Sequence, residues 1–218
     1  DISTLPSDAP LLIVANEFFD ALPIHQLIRG CANWHERRIA AQGRLFLPVA
    51  DKAVPESLIP KALRDAPVGS IIESAPASVA IVTALTKRLG AQSGAALVVD
   101  YGYDGPAVGE TLQAVKGHRY ANPFDAVGEQ DLSAHVDFAT LGAAAALAGA
   151  TVSGPVGQGA WLSALGIEAR AAALTKASPT RSVEIGAAGE RLTQPDAMGT
   201  LFRVMALRAP HWPEPAGF

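Results

Sequence analysis

The sequence predicts an α/β protein: the C-terminal half of a doubly wound, Rossmann-like sheet with an inserted β-meander and helical insertions. Two short apolar runs, 11–15 and 95–99, lack period-two alternation, which is typical of parallel strands buried on both faces. A helical pattern over 76–90 lies between them, so the three elements predict a parallel βαβ crossover. No glycine-rich turn follows the first strand, and residue 1 is not Met. We therefore expect the chain to begin inside a larger domain.

The remaining elements follow from turn residues and periodicity. A β-meander is predicted by four β-patterns that turn residues separate, at 24–28, 34–40, 44–49 and 70–73. A short helix is predicted near 56–64, before the fourth strand. Residues 105–131 predict a long irregular loop of the kind that often carries function. A third strand at 151–156 and a last strand at 200–207 are separated by alanine-rich helices that break near Pro179.

These elements predict one domain over residues 1–209, with the meander inserted at about 24–73. Residues 210–218 form a proline-rich tail, which we expect to fray. In this arrangement residues 11–14 leave an unpaired apolar strand edge, which predicts self-association of the chain.

Composition excludes several classes of function. Apolar residues make up 49% and charged residues 17% of the chain, which indicates a folded globular protein. A net charge of −4 with scattered basic residues argues against a nucleic-acid partner. No apolar run approaches the roughly 20 residues that cross a bilayer, so no membrane insertion is expected. The single Cys31 excludes an internal disulfide, and His25 and His35 suit surface positions better than metal ligation, so no metal site is predicted.

Three polar residues follow the first predicted strand. Asn16 and Glu17 end the strand, and Asp20 lies one helical turn further, before Pro23. Ligands of open α/β sheets bind at the carboxyl ends of the strands, so these residues are site candidates. In an alternative that is compatible with this role, Asn16 caps a short helix and the two acids favour its N-terminus.

Further candidates follow the other predicted strands. Asp100, Tyr101 and Gly102 end the neighbouring strand and are expected to line the same crevice, although Asp100 alternatively caps the next turn. His135 and Asp137 are one strand step apart and would form a proton-accepting pair, unless Asp137 is the N-cap of the following helix. Gln158 comes after the third strand and is a candidate substrate contact.

Seven motifs occur together and in order along nearly the whole chain: ANEFFDALPIHQ (15–26), WHER (34–37), VDYGY (99–103), GETLQA (109–114), DLSAHVDF (131–138), QGAWLSALGIEAR (158–170) and MGTLFRVMAL (198–207). With these motifs the chain resembles the C-terminal part of the MidA family of S-adenosylmethionine-dependent methyltransferases, which is related to a mitochondrial complex I assembly factor that methylates an arginine. The resemblance implies a class I methyltransferase fold and S-adenosyl-L-methionine as cofactor.

The implied activity is N-methylation of an arginine in a protein substrate, a respiratory complex I subunit. Carboxylates bind a planar guanidinium in bidentate fashion. Glu17 and Asp20 are therefore the expected catalytic pair: Glu17 orients the guanidinium, while Asp20 is a second carboxylate or a structural cap. Asn16 and Glu17 would hold the methionine moiety of the cofactor. Tyr101 would form one wall of the acceptor pocket. Family members carry a glycine-rich cofactor loop that these residues lack, so the chain alone is expected to be inactive.

Two other functions remain open. The acceptor is chosen by loops such as 105–131, so a methyltransferase with another acceptor is equally compatible with the motifs. A non-catalytic assembly chaperone that binds the same subunit is the alternative from a different class. A homodimer is left open, and the expected compartment is the bacterial cytoplasm, or the mitochondrial matrix in a eukaryote.

Overall fold

A computed structural model describes residues 2–218, and Asp1, the first residue of the predicted domain, lies outside the described residues. The fold is mixed α/β. Its strands are β1 Leu11–Asn16, β2 His25–Arg29, β3 Trp34–Gln42, β4 Leu45–Ala53, β5 Ile71–Ser74, β6 Gly94–Tyr103, β7 Gln113–Lys116, β8 Arg119–Ala121, β9 Asp131–Ser133, β10 Val136–Asp137, β11 Thr151–Gly157 and β12 Phe202–Arg208. Its α-helices are α1 Pro76–Gln92, α2 Phe138–Leu147, α3 Gln158–Ala164, α4 Ile167–Ala177, α5 Ser182–Thr193 and α6 Met198–Leu201.

The described chain forms two compact units. The first contains residues 2–18, 81–104 and 136–218, and the second contains residues 19–80 and 105–135. The predicted meander therefore shares a unit with the long loop that follows β6, a grouping that the sequence did not indicate. Among residues 2–218, no helix combines the length and the apolar composition that crossing a lipid bilayer would require.

The first unit is built on a sheet with the strand order β1-β6-β12-β11, to which β10 adds at β6. Strands β1 and β6 are parallel, with Leu11 opposite Gly94 and Asn16 opposite Val99, which confirms the predicted crossover. Gly94 is required at this start, because a Cβ there would lie 2.0 Å from the Leu11 carbonyl oxygen. Strand β12 is antiparallel to both of its neighbours, so the sheet is mixed.

Helices cover both faces of this sheet at β6 and β12. On one face Val99, Phe202 and Val204 cluster with Trp161 of α3 and Met198 of α6. On the other face α2 packs against β12, where a Cβ at Gly142 would lie 3.5 Å from the Met205 sulfur. This two-sided burial explains the unbroken apolar run in β6.

The prediction that the first strand is buried on both faces is wrong for β1. Leu11 is buried, but the side chains of Leu12 and Val14 on the other face are 77% and 72% exposed. The reason is that β1 is the edge strand of the sheet, and among the described residues no helix covers that part of the face.

Three local predictions are also corrected. Between Asn16 and His25 the structure describes no helix, only a turn in which the Leu22 N–H donates to the Phe19 carbonyl at 3.2 Å. Strand β6 ends at Tyr103, one residue beyond the predicted end at residues 100–102, because β10 pairs with Gly102 and Tyr103. The segment predicted as an irregular loop contains β7 and β8, and β9 begins at its last residue; the three strands form a small antiparallel sheet.

The tail is anchored, contrary to the prediction that it frays. The Trp161 indole N–H donates to the Ala216 carbonyl oxygen at 3.2 Å, and the Phe218 ring centroid lies 6.4 Å from that of Trp161. The aromatic residue at its end and the Trp161 donor hold the tail, although it contains no helix or strand.

In the second unit β2, β3 and β4 form an antiparallel meander, as predicted, but β5 pairs with β2 and not with β4, which gives the sheet the order β4-β3-β2-β5. Its core consists of Leu27, Trp34, Ile59 and Ile72. The short helix predicted near 56–64 is two single 3-10 turns, Glu56–Leu58 and Lys61–Leu63, separated by two residues that include the buried Ile59.

The exposed side of β1 generates a first prediction. We expect the 218-residue chain to form assemblies larger than a discrete oligomer through this edge, because an unpaired apolar strand is a template for pairing with further chains. Replacing Leu12 and Val14 together by Lys should abolish the higher assemblies in light scattering after size exclusion. Leu147→Lys, at a side chain that is 91% exposed on α2, is the matched control and should change nothing. A monodisperse unmodified chain at high concentration would contradict the prediction.

Candidate active site at the carboxyl ends of β1 and β6

The parallel strands β1 and β6 present their carboxyl ends at the same edge of the sheet. The ladder continues one residue beyond β1, since the Glu17 N–H donates to the Val99 carbonyl at 2.9 Å. Glu17 itself has φ of +47°, in the left-handed region that residues other than glycine rarely adopt. The chain therefore turns sharply at Glu17, and this turn replaces the predicted helical one.

The Asp100 carboxylate fixes this turn. It is fully buried, and its two oxygens accept backbone N–H groups from both sides of the site: Phe18 at 3.2 Å and Tyr101 at 3.0 Å. Hydrogen bonds to a carboxylate are stronger than those between neutral groups. This geometry supports the alternative in which Asp100 holds a turn, although the turn is the one after β1 and not the one after β6. It does not support contact with a substrate.

The exposed Glu17 carboxylate lies between two other predicted site residues. One oxygen accepts the Tyr101 hydroxyl at 3.2 Å, and the other accepts the Asn16 side-chain amide at 3.3 Å. The Tyr101 ring lies against Phe202, with ring centroids 4.2 Å apart. The structure thus brings Asn16, Glu17 and Tyr101 together. It adds Phe202, an aromatic residue at the start of the last strand that the sequence analysis missed.

Gly102 serves a different purpose from the predicted sharp turn. A Cβ at this position would lie 2.4 Å from the Val136 carbonyl oxygen and 2.6 Å from the Phe138 ring. The glycine therefore allows β10 and the start of α2 to approach β6 closely.

Two predicted substrate contacts are engaged within the fold of the first unit. The Asp137 carboxylate accepts the Thr140 N–H at 3.1 Å and the Thr140 hydroxyl at 2.6 Å, so Asp137 is the N-cap of α2, as its alternative stated. The Gln158 side chain is buried and donates to the Leu192 carbonyl at 3.0 Å. Both side chains hold helices in place.

The second unit contains the other two candidates. Asp20 is only 7% exposed, and its backbone carbonyl oxygen accepts the Ala134 backbone N–H at 2.9 Å. His135 is half-buried, and its backbone N–H donates to the Thr111 hydroxyl at 2.8 Å. Burial lowers the pKa of His135, and the charge of Glu73 opposes this effect in part. The neutral imidazole, which is able to accept a proton, is therefore favoured.

The centre of this second group is Glu73, which the sequence analysis did not select. Its carboxylate accepts the Gln26 side-chain amide at 2.8 Å, the Thr111 N–H at 3.0 Å and the Thr111 hydroxyl. This network holds the GETLQA segment on β5 and explains why that motif contains a threonine. The sequence signal for Glu73 was an acidic residue directly after two apolar residues within the short strand β5.

The edge at Glu17 suits a cationic ligand. An exposed carboxylate with one hydroxyl and one amide donor in place has lone pairs left for a guanidinium or an ammonium group. Residues 2–218 contain no group of three His, Cys, Asp or Glu side chains that could hold a metal ion.

Comparison with known proteins shows which family the chain resembles. A family model described as "Putative S-adenosyl-L-methionine-dependent methyltransferase" matches residues 1–156. The mitochondrial protein arginine methyltransferase NDUFAF7 of Mus musculus is 32% identical over an alignment of 218 positions, which covers 97% of this chain and 48% of that protein. Its Drosophila melanogaster homologue is 34% identical over 205 residues, with 90% and 46% covered. The chain thus spans about half the length of the curated relatives it matches.

Two crystal structures of Burkholderia thailandensis proteins share the fold. One, bound to S-adenosyl-homocysteine, has a TM-score of 0.82 at 27% identity, and the superposition covers 94% of this chain and 55% of the chain in that structure. The other, a native structure, has a TM-score of 0.87 at 27% identity, with 99% and 59% covered. Because the family model extends over well more than half of the sequence, the chain belongs to this MidA-like family of S-adenosyl-L-methionine-dependent methyltransferases.

Proposed function

We propose that this chain is the acceptor-binding part of an S-adenosyl-L-methionine-dependent protein arginine N-methyltransferase. The observation that carries the proposal is the Glu17 carboxylate, exposed at the carboxyl end of β1 and bonded to Tyr101. The names of the animal relatives, which are protein arginine methyltransferases, support it.

Glu17 would bind and orient the arginine. The guanidinium stays protonated and planar, and a carboxylate held by neighbouring groups sets the direction of its nitrogens. S-adenosyl-L-methionine supplies the methyl group when bound. Since methyl transfer requires donor, carbon and acceptor in line, a rigid Glu17 contributes by alignment. Tyr101, packed on Phe202, would limit the movement of the bound side chain.

The residues of this chain fit one end of the cofactor. An amide and a carboxylate, Asn16 and Glu17, suit the carboxylate and ammonium of a methionine moiety. The glycine-rich junction 154–159 offers no cradle, because a Cβ at Gly159 would already lie 2.3 Å from the Thr193 carbonyl oxygen. We assign no other part of the cofactor to this chain.

The remaining candidates divide into two groups. Asp20 as a second carboxylate and His135 as a proton acceptor stay part of the proposal, because both ionisable side chains lie on segments that the family motifs include. Asp100, Gly102, Asp137 and Gln158 are left out of substrate binding, because their contacts are engaged within the fold. We further propose a respiratory complex I subunit as the acceptor, on the resemblance to the assembly factor, in the mitochondrial matrix or the bacterial cytoplasm.

Replacing the carboxylate tests this proposal. In the protein encoded by the complete reading frame, Glu17→Gln should lower kcat/KM for an arginine peptide of that subunit about 100-fold, since charge-assisted bonding is worth about 2–3 kcal/mol. Tyr101→Phe, which removes only the hydroxyl, should cost less than tenfold. Transfer of labelled methyl groups measures both. An unchanged kcat/KM in Glu17→Gln would sink the proposed role. If the unmodified protein transfers no methyl group yet binds the peptide, the chaperone function takes its place.

The positive φ of Glu17 gives a second test, on stability. Glu17→Gly should raise the free energy of unfolding by about 1 kcal/mol, because the left-handed conformation costs a glycine nothing. Glu17→Gln keeps the strain and should leave the stability unchanged. Urea denaturation of the 218-residue chain carrying the two Lys substitutions on β1 gives both values. A Glu17→Gly variant that is less stable than Glu17→Gln would contradict this reading of the turn.

Asp100 is the positioning residue of the site, and its amide variant gives a third test. Asp100→Asn should lower the free energy of unfolding by about 2–3 kcal/mol, because one oxygen that accepts a backbone N–H becomes an NH2 donor facing it. The exposed Asp104→Asn is the matched control within the same segment and should change stability little. Equal stability of the two variants in urea would show that Asp100 does not hold the turn.

A further inference from the structure

The carboxylate of Glu73 is linked to the backbone of His135 through a single side chain. The Thr111 hydroxyl bonds to the Glu73 carboxylate, and the hydroxyl oxygen accepts the His135 backbone N–H at 2.8 Å. The backbone N–H groups of Thr111 and Leu112 also donate to Glu73, at 3.0 and 3.3 Å. An ionised carboxylate accepts hydrogen bonds and does not donate them, so the Thr111 hydroxyl directs its hydrogen to Glu73 and keeps its lone pairs for His135.

The meander holds the Glu73 carboxylate from the other side. Gln26 is only 6% exposed, its side-chain N–H donates to Glu73 at 2.8 Å, and its side-chain oxygen accepts the Arg37 guanidinium at 2.9 Å. Arg37 also pairs with Glu110, the residue before Thr111. The Gln26 amide lies between a cation and an anion, so both of its ends are assigned, and hydrogen bonds to charged groups are the stronger ones. These contacts keep the Glu73 carboxylate at Thr111.

His135 lies just beyond the end of a strand, where a side chain takes over from the ladder. Strand β9 ends at Ser133, and the Ala134 backbone N–H donates to the Asp20 backbone carbonyl oxygen. The next N–H along the chain is that of His135, which donates to the Thr111 hydroxyl. The position of the His135 backbone therefore depends on a hydroxyl that Glu73 orients.

The charged groups of this network act unequally on the imidazole of His135. They are Glu73 on β5, Arg37 on β3, Glu110 before Thr111, and Asp20, whose backbone holds Ala134. Burial lowers the pKa of His135 and the negative charge of Glu73 raises it. Arg37 is paired with Glu110, so the charges of these two largely compensate each other. The carboxylate that orients the backbone of His135 is thus also the one whose charge acts on its ring.

We propose that Glu73 is a positioning residue of the enzyme, and that it holds the proton acceptor His135 in place through the Thr111 hydroxyl. A proton acceptor has to lie within hydrogen-bond reach of the proton that it takes up, so a displaced backbone lowers the rate. The role of His135 in the reaction rests on the proposed function. The hydrogen-bonded link between Glu73 and His135 does not depend on it.

NMR of the 218-residue chain that carries Lys at positions 12 and 14 tests the link itself. Thr111→Val keeps the shape of the side chain and removes the hydroxyl, so hydrogen exchange of the His135 amide should become at least about tenfold faster. Thr111→Ser restores the hydroxyl and should return the exchange rate to within about twofold of the original.

Titration of the imidazole signal, assigned with His135→Gln, tests the charge. Glu73→Gln keeps the shape and removes the negative charge, so it should lower the pKa of His135. Glu129→Gln is the matched control, because this exposed acid of the same unit pairs with Lys116 and should leave the pKa of His135 unchanged.

Kinetics of the protein encoded by the complete reading frame test the role in the reaction. Thr111→Val should lower kcat for the same arginine peptide about tenfold and change KM less than about twofold, because position and not binding is lost. Thr111→Ser should restore kcat. Circular dichroism establishes that each variant is folded. If Thr111→Val does not fold, Glu73→Gln replaces it, and the acidic limb of its kcat/KM profile should move to lower pH together with the pKa of His135.

Faster exchange and a lower kcat in Thr111→Val, both reversed in Thr111→Ser, together with a lower pKa of His135 in Glu73→Gln, support the proposal. Exchange rates and a pKa that match those of the unmodified chain overturn it. The Glu17→Gln variant, in the first unit, separates this inference from the proposed function. If Glu17→Gln loses activity while His135→Gln and Thr111→Val keep theirs, the proposed function stands and the positioning role of Glu73 is overturned.

Discussion

The buried carboxylate of Asp100 is the interaction on which the geometry of the site depends. A charge without access to water is tolerated only where donors surround it, and here two of them are backbone N–H groups from the turn after β1 and from β6 itself. Backbone donors cannot rotate away as side chains do, so the carboxylate fixes the ends of two strands relative to each other. This constraint holds Glu17 in a conformation that the residue would otherwise avoid.

The constraint extends from the turn to the last strand of the sheet. Tyr101 follows Asp100 directly, its hydroxyl meets Glu17, and its ring lies on Phe202 at the start of β12. Because β12 returns from the helical insertion, the first and last strands of the unit both support one exposed carboxylate. A group held in this way loses little conformational entropy when it binds a ligand, which is the advantage of placing it on strand ends and not in a long loop.

The sequence predicted those features that local pattern determines. Unbroken apolar runs indicated β1 and β6, and turn residues indicated the meander. The position of Asp137 before an apolar helix indicated an N-cap as the alternative to a site role. Features that depend on partners were not predicted. Hydrophobic periodicity does not determine the direction of a strand, so the antiparallel orientation of β12 was not predicted. It also does not determine which elements pack against a strand, so the exposure of the Leu12 side chain was not predicted. Glu73 was overlooked because its partners, such as Thr111, are distant in sequence.

The paired acids after β1 show why spacing alone was insufficient. In a helix, residues three apart lie on one face, and on that premise Glu17 and Asp20 form a pair. The positive φ at Glu17 prevents the helix, and the two carboxylates reach different environments: Glu17 is exposed, while Asp20 is 7% exposed. An exposed carboxylate retains lone pairs that a ligand reaches from solvent. Of the two acids, Glu17 is therefore the one that presents its carboxylate at the surface, and the backbone conformation at that residue makes the difference.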